Sequence, residues 1–195
     1  GEICVLDREA CRFAYRDSIF KQDLRDRAVI LDVSFALPKQ WQPNLSYAEL
    51  ERELTTSGVV APTASDISEA VIAIRRRKLP DPSVIGNAGS FFKNPTIKLA
   101  HFKELQKLHT LIPSFAVDAQ HVKVPAGWLI EQCGWKGKKV GACGVHKDQA
   151  LVLVNYGKAS GRDLFNLSEA IIQDVQEKFN IELEREVQIL RNTLL

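Results

Sequence analysis

Lys138 to Asn155 reads KKVGACGVHKDQALVLVN, and two segments of it decide the fold class. Lys138–Gly144, KKVGACG, and Ala150–Asn155, ALVLVN, both read as strands, the second an unbroken apolar run suited to a buried position. Immediately upstream, AGWLIEQCG predicts a short helix with Gly134 in the C′ position. Downstream, Asn166 is expected to cap a last helix, with Glu169 at N3 and Leu167, Ile171, Val175 and Phe179 on one face. Leu99, Phe102, Leu105 and Leu108 recur at helical spacing, so residues 97–109 form an amphipathic helix in this reading. Ile67, Ala70, Val71 and Ile74 predict another helix from Asp66 to about Arg77, with Glu69 as the capping-box partner of Asp66. Ala28–Leu37, AVILDVSFAL, reads as a strand by its β-branched content and is ended by Pro38. Strands and helices mix without regular alternation, which predicts an α+β fold. There is no internal repeat and no low-complexity stretch.

The chain has 195 residues, enough to bury a substantial core, and is 45% hydrophobic and 26% charged. No apolar run approaches the ~20 residues that span a bilayer, so no membrane association is expected. The 26 basic and 24 acidic residues nearly cancel, and a net charge of +2 gives little reason to expect a polyanion partner. Cys4, Cys11, Cys133 and Cys143 lack C-x-x-C or zinc-finger spacing, so no metal or redox motif is written. Reduced, buried thiols in a cytoplasmic protein are the expectation. The chain starts at Gly1 and contains no methionine. The expectation is that it is an excised or processed piece of something longer, or that its first residues are a scar of its preparation. No signal-peptide pattern is present.

Two neighbouring stretches remain as candidates for chemistry. In RRRKLPDP, Arg75 to Pro82, cations at a helix C-terminus complement the dipole before prolines stop the helix, and Lys78 stands where helix gives way to loop. Nucleic-acid binding through RRRK is a weaker possibility, which predicts affinity falling steeply with salt. The stretch GNAGSFFKNP, Gly86 to Pro95, flanks Ser90 with glycine and phenylalanines. A nucleophile elbow needs a glycine two residues after the serine, where Phe92 stands, so a serine hydrolase is excluded. A phosphate loop needs lysine directly before the hydroxyl residue, whereas Lys93 follows Ser90, so a P-loop kinase or GTPase is excluded as well. What remains is a serine on a glycine-flanked turn that is a structural element, a ligand contact or an acid catalyst.

YRDSIFK (Tyr15–Lys21), RRRKLPDPSVIGNAGSFFKNP (Arg75–Pro95), AGWLIEQCGWKGKKVGACGVHKDQALVLVN (Ala126–Asn155) and FNIELEREV (Phe179–Val187) together resemble the UDP-N-acetylenolpyruvoylglucosamine reductase family, in the family's own order. The resemblance implies an FAD-dependent, NADPH-consuming reduction of UDP-N-acetylglucosamine enolpyruvate to UDP-N-acetylmuramate. This is a cytoplasmic step of peptidoglycan synthesis, and so of cell-wall biogenesis, cell shape and division. It implies that Ser90 is the proton donor, and that Arg16 and Glu186 stand at the substrate carboxylate. Without the family register Arg16 reads as a surface pair with Asp17, and Glu186 reads like Glu182 and Glu184 in a solvated charged stretch. Tyr47 is implied on a mobile loop of the type I branch that closes on the UDP group. Lys78 and Asn94 are implied at the diphosphate and Gln149 near the nucleotide-sugar. His146 receives no family role.

The resemblance also implies a domain plan. Residues 1–78 are the C-terminal part of a second FAD-binding domain carrying the tyrosine loop, 79–180 a smaller α+β substrate-binding domain, and 181–195 a return segment. The N-terminal FAD-binding part is missing and becomes the expected partner, with exposed apolar surface where it docks. The cofactors are FAD and NADPH, with their contact residues unassigned. For this chain alone a nucleotide-sugar binding module without redox chemistry stands as the alternative.

Overall fold

The computed structural model describes residues 1–190, and its backbone divides into two compact units between Gln42 and Pro43. The last five residues of the expected return segment lie outside the described residues. No described helix is long and apolar enough to cross a membrane.

In the first unit a single 3₁₀ turn, Ile19–Lys21, is tied back by Ile19 N–H to the Cys11 carbonyl at 3.0 Å. Ala28–Leu37 is not a strand: it makes no ladder, and all ten residues are exposed, Val29 at 83% and Phe35 at 78%. β-branched side chains fit a pleated, half-buried surface but do not create the neighbouring strand that a ladder requires.

The second unit opens with a helical pair, α1 (Ala48–Thr56) and α2 (Ala64–Lys78), which share a small core of Leu50, Leu54, Ala70 and Ile74. The capping box of α2 is one turn earlier than the sequence suggested. Thr63 accepts from the Asp66 N–H, and the Asp66 carboxylate accepts from the Thr63 N–H at 2.8 Å. A threonine at N-cap with an acid at N3 satisfies two orphan donors, a closure that Asp66 with Glu69 does not make. Arg75 to Lys78 form the last turn as expected. Arg77 crosses to Glu53 of α1 at 2.8 Å.

The rest is an antiparallel α+β body. Strand β1 (Gly86–Ser90) leads to β2 (Thr96–Lys98), α3 (Leu99–Leu108), β3 (Phe115–Ala116), β4 (His121–Lys123), α4 (Ala126–Gln132), β5 (Lys139–Val140), β6 (Cys143–Val145), β7 (Val152–Asn155) and α5 (Gly161–Phe179). One sheet has the order β1-β7-β6-β5 and the other β2-β4-β3. The two strand segments quoted at the outset supply three of the four strands of the larger sheet. Val152, Leu153 and Val154 are all 2% exposed or less, as the unbroken apolar run required. Gly144, in β6 opposite Lys139, allows the close approach of β5, because a Cβ there would lie 2.6 Å from the Lys138 carbonyl oxygen. Gly134, with φ 76°, follows α4 in the expected C′ position.

Leu167, Ile171, Val175 and Phe179 of α5 are buried on one face. Its capping box is Ser160 with Asp163, not Asn166 with Glu169. The apolar stripe begins almost two turns inside the helix, so a cap sought next to the stripe is placed too late. Beyond Asn180, in the left-handed conformation at φ 53°, Ile181 and Leu183 alternate inward and Glu182 and Glu184 outward. The charged stretch is thus half-buried, with a period of two. All four cysteines are free. Burial pushes the Cys133 and Cys143 thiols up, whereas Cys4 is exposed, against expectation. The compact division at 42/43 places residues 43–78 with the body, although the helical pair keeps a core of its own.

Candidate functional site

Ser90 ends β1 rather than occupying a turn. The strand pairs with β7 as Gly86 with Asn155 and Asn87 with Val154, slips, and resumes as Ser90 with Val152. Gly89, at φ 71°, makes that slip, since a left-handed residue inserted into a strand bends it and re-aims the next side chain. Asn87 fixes the bend, its Oδ1 accepting from the Gly89 N–H at 3.0 Å and its Nδ2 donating to the carbonyls of Pro80 and Ile85. Beyond Ser90, the Phe91 N–H donates to the Leu151 carbonyl at 2.7 Å and Phe92 is 1% exposed. Ser90 is held between a glycine bend and a buried anchor. It is half-buried, and no partner of its hydroxyl is found among the described residues.

The segment after α5 returns to this place. Phe92 bridges Arg185, the Glu186 N–H donates to the Phe91 carbonyl at 2.9 Å, and the Lys93 N–H donates to the Glu184 carbonyl at 2.9 Å. Glu186 therefore lies beside Phe91, the residue that follows Ser90 and stands ninety-five positions earlier in the chain. Arg185 sets the register. Its Nε donates to the hydroxyl of fully buried Ser168 at 2.8 Å, its Nη2 pairs with Glu169, and its guanidinium carbon lies 4.8 Å from the Phe165 ring centre. Lys93 pairs with Glu184, whose side chain is exposed at the surface.

Asn94 and Gln149 come to the start of α4. The Asn94 Oδ1 accepts from the Ala126 N–H at 2.9 Å, which leaves its NH₂ as the group that can meet an acceptor. A Cβ on the next residue, Gly127, would lie 3.8 Å from the Gln149 Oε1. His146 carries a turn, its Nδ1 accepting from the Asp148 N–H at 3.3 Å.

Tyr47 and Lys78 form a second group across the helical pair. Tyr47 donates to Glu49 Oε2 at 3.0 Å, Lys78 Nζ donates to the same oxygen, and Nζ lies 3.3 Å from the Tyr47 hydroxyl. The Lys78 ammonium bound to Glu49 holds that carboxyl below its ordinary value, and the same bond raises Lys78. Sequence reasoning missed Glu49, which looks like an ordinary first-turn acid, and its partner lies in another helix. Arg16 belongs to the first unit, where its carbonyl accepts from Lys21 Nζ at 2.9 Å and φ is 57°. Two surface hollows, one lined by Lys98, Lys103 and His121 and one by Glu169, Glu182 and Arg185, contain none of the expected site residues.

Residues 81–190, more than half the chain, match the family described as UDP-N-acetylenolpyruvoylglucosamine reductase, C-terminal domain. The chain belongs to this family. It is similar to proteins named UDP-N-acetylenolpyruvoylglucosamine reductase. The one from Paraburkholderia phytofirmans (strain DSM 17436 / LMG 22146 / PsJN) is 53% identical over 188 residues, covering 95% of this chain and 54% of that protein. The one from Paraburkholderia xenovorans (strain LB400) matches over the same shares at 53%, and that of Burkholderia lata is 53% identical over 92% of this chain and 52% of its own length. The chain spans about half the length of the curated relatives it matches. The α+β fold agrees with membership of the C-terminal domain family.

Proposed function

We propose that this chain is the substrate-handling part of a reductase that converts UDP-N-acetylglucosamine enolpyruvate to UDP-N-acetylmuramate, a cytoplasmic step of peptidoglycan synthesis. The observation that carries the reading is the hydrogen bond from the Glu186 N–H to the Phe91 carbonyl at 2.9 Å, which joins the expected carboxylate to the strand of the expected proton donor. When bound, FAD supplies the hydride, obtained from NADPH. The Ser90 hydroxyl would give its proton to the enolpyruvyl carbon that bears the ether oxygen, balancing the hydride supplied to the distal carbon, and would be reprotonated from solvent. Glu186 and Arg16 are assigned to the substrate carboxylate, whose existing charge is joined by more as the enolpyruvyl carbon is reduced, and stabilising that added charge lowers the barrier. Lys78 and the Asn94 NH₂ hold the diphosphate, Tyr47 covers it and Gln149 meets the nucleotide-sugar.

The two longest helices begin at self-satisfied capping boxes with an aspartate in the first turn, so neither offers donors to a pyrophosphate. The exposed apolar run 28–37 supports a plan in which an FAD-binding part of the same protein covers it. In that plan 1–78 belongs to the FAD side, 79–180 to the substrate side and 181–195 is a return segment toward the FAD side. Because the chain is half the length of its relatives, a UDP-sugar binding module is the reading for the chain in isolation. Neither nucleic acid nor membrane has a role in either reading. Ser90→Ala in the full-length protein tests the mechanism by stopped-flow absorbance of the flavin. Reduction by NADPH stays near normal while reoxidation by substrate slows by at least ~10². Equal slowing of both half-reactions assigns Ser90 a structural role instead.

A further inference from the structure

The three groups around Glu49 are those an anion site uses. A tyrosine hydroxyl and a lysine ammonium converge on Oε2, and Arg77 Nη2 lies 3.7 Å from Oε1. A carboxylate carried on α1 therefore fills the place between Tyr47 and Lys78. The Glu49 side chain is 22% exposed and that of Lys78 41%, so solvent and a ligand reach the pair. Resting on the reading of Lys78 and Tyr47 as diphosphate contacts, we propose that Glu49 is a built-in competitor of the substrate's diphosphate. It holds Lys78 and Tyr47 in place when no ligand is present and must leave before a phosphate can take the same donors.

The charges favour this over a purely supporting role. A diphosphate beside Lys78 would face the Glu49 carboxylate at hydrogen-bond range, and two anions cannot share one ammonium without repulsion. If only the fraction of molecules with Glu49 turned away can bind, the apparent affinity falls by that fraction. Removing the competitor then tightens binding, whereas removing a scaffold loosens it. The sign of one substitution separates the two.

The test uses the 195-residue chain, with UDP as probe and titration calorimetry as readout, on wild type, Glu49→Gln and Lys78→Ala. An exposed ion pair is weak, so Glu49→Gln is expected to bind UDP about 2- to 5-fold more tightly at low salt. The gain shrinks at 0.5 M salt, and Lys78→Ala weakens binding. Unchanged or weaker binding by Glu49→Gln, with wild type and Lys78→Ala behaving as stated, overturns the competitor and leaves the substrate reading standing. UDP binding unaffected by Lys78→Ala, or no binding by any variant, overturns the substrate reading and the competitor with it. A ligand-free measurement stands beside these. Acylation of Lys78, followed by peptide mass spectrometry, should speed up in Glu49→Gln because the ammonium loses its partner, and an unchanged rate rejects the contact itself.

Discussion

The Ser90 end and the Lys78 end of the candidate site are held by different chemistry. Around Ser90 the bonds are main chain to main chain, from Phe91 to Leu151, Glu186 to Phe91 and Lys93 to Glu184, laid over a core in which Phe92, Val145 and Val152 are 1% exposed or less. Around Lys78 they are side chain to side chain, between two helices whose shared core is four residues. Ladder bonds over a core open only with the fold, whereas exposed ion pairs are screened by salt and contribute little each. Under the proposed function, Ser90 delivers a proton to one carbon and has the first kind of support, and Lys78 admits and releases a charged ligand and has the second.

The largest test of this contrast sets the two cores against each other. Phe92→Ala should cost ~3–5 kcal/mol and shift the global denaturation midpoint. Leu54→Ala, in the helical pair, should instead speed amide hydrogen exchange in α1 and α2 while moving that midpoint less. If both variants shift the midpoint equally, the helical pair is not a separately opening unit and the contrast fails.

Next in size is Arg185→Ala. Its charged hydrogen bond to buried Ser168 and its pair with Glu169 hold residues 184–186 in register, and hydrogen bonds of this kind are worth ~1.5–3 kcal/mol. The variant should raise exchange at the Glu186 and Lys93 amides and, in the full-length protein, lower substrate reduction without changing reduction of the flavin. Gly89→Ala comes after it. There is open space at the Cβ position, so the cost is that of the left-handed backbone alone, ~1–2 kcal/mol, with the bend before Ser90 as the part that relaxes. A stability loss without any change at Ser90 would separate the bulge from the site.

The same contrast explains what could be read from the sequence. Strands β6 and β7 and the α5 stripe were legible because burial writes its period locally, in Val152–Val154 and in Leu167, Ile171, Val175 and Phe179. Ala28–Leu37 was misread because a strand is a relation between two segments, and propensity describes only one. The cap of α5 was misplaced because Ser160 and Asp163 precede the stripe. Ser90 was legible as a position of interest from its glycine and phenylalanine neighbours. Its approach to residues 184–186 was not, because that contact joins distant parts of the chain through Arg185. Glu49 was invisible for a like reason, since nothing in AELERELTT distinguishes it from Glu51 or Glu53 until α2 is packed alongside.

The smallest effect is an acid response confined to the helical pair. Lys78 lowers the Glu49 carboxyl from its ordinary value of 4.5, so the folded form binds this proton less readily than the unfolded chain. A carboxyl lowered by folding adds stability that is fully present above the unfolded value and is lost as pH falls through the folded one. The link from α1 to Lys78 should therefore hold from neutral pH down to about 4.5 and weaken below it. Asp163, lowered by its capping bonds with Ser160, runs down in the same direction from 3.8, but at the start of α5. Site-resolved amide exchange between pH 6 and 3, corrected for intrinsic rates, distinguishes the two. In wild type the α1 amides should loosen before those of α5, by a few-fold at most because the pair is partly exposed. In Glu49→Gln the early step should vanish while the α5 step remains. An early step that survives the substitution would show that the helical pair is held by something other than its ion pairs, and the distinction between a ladder-held and a charge-held end would have to be withdrawn.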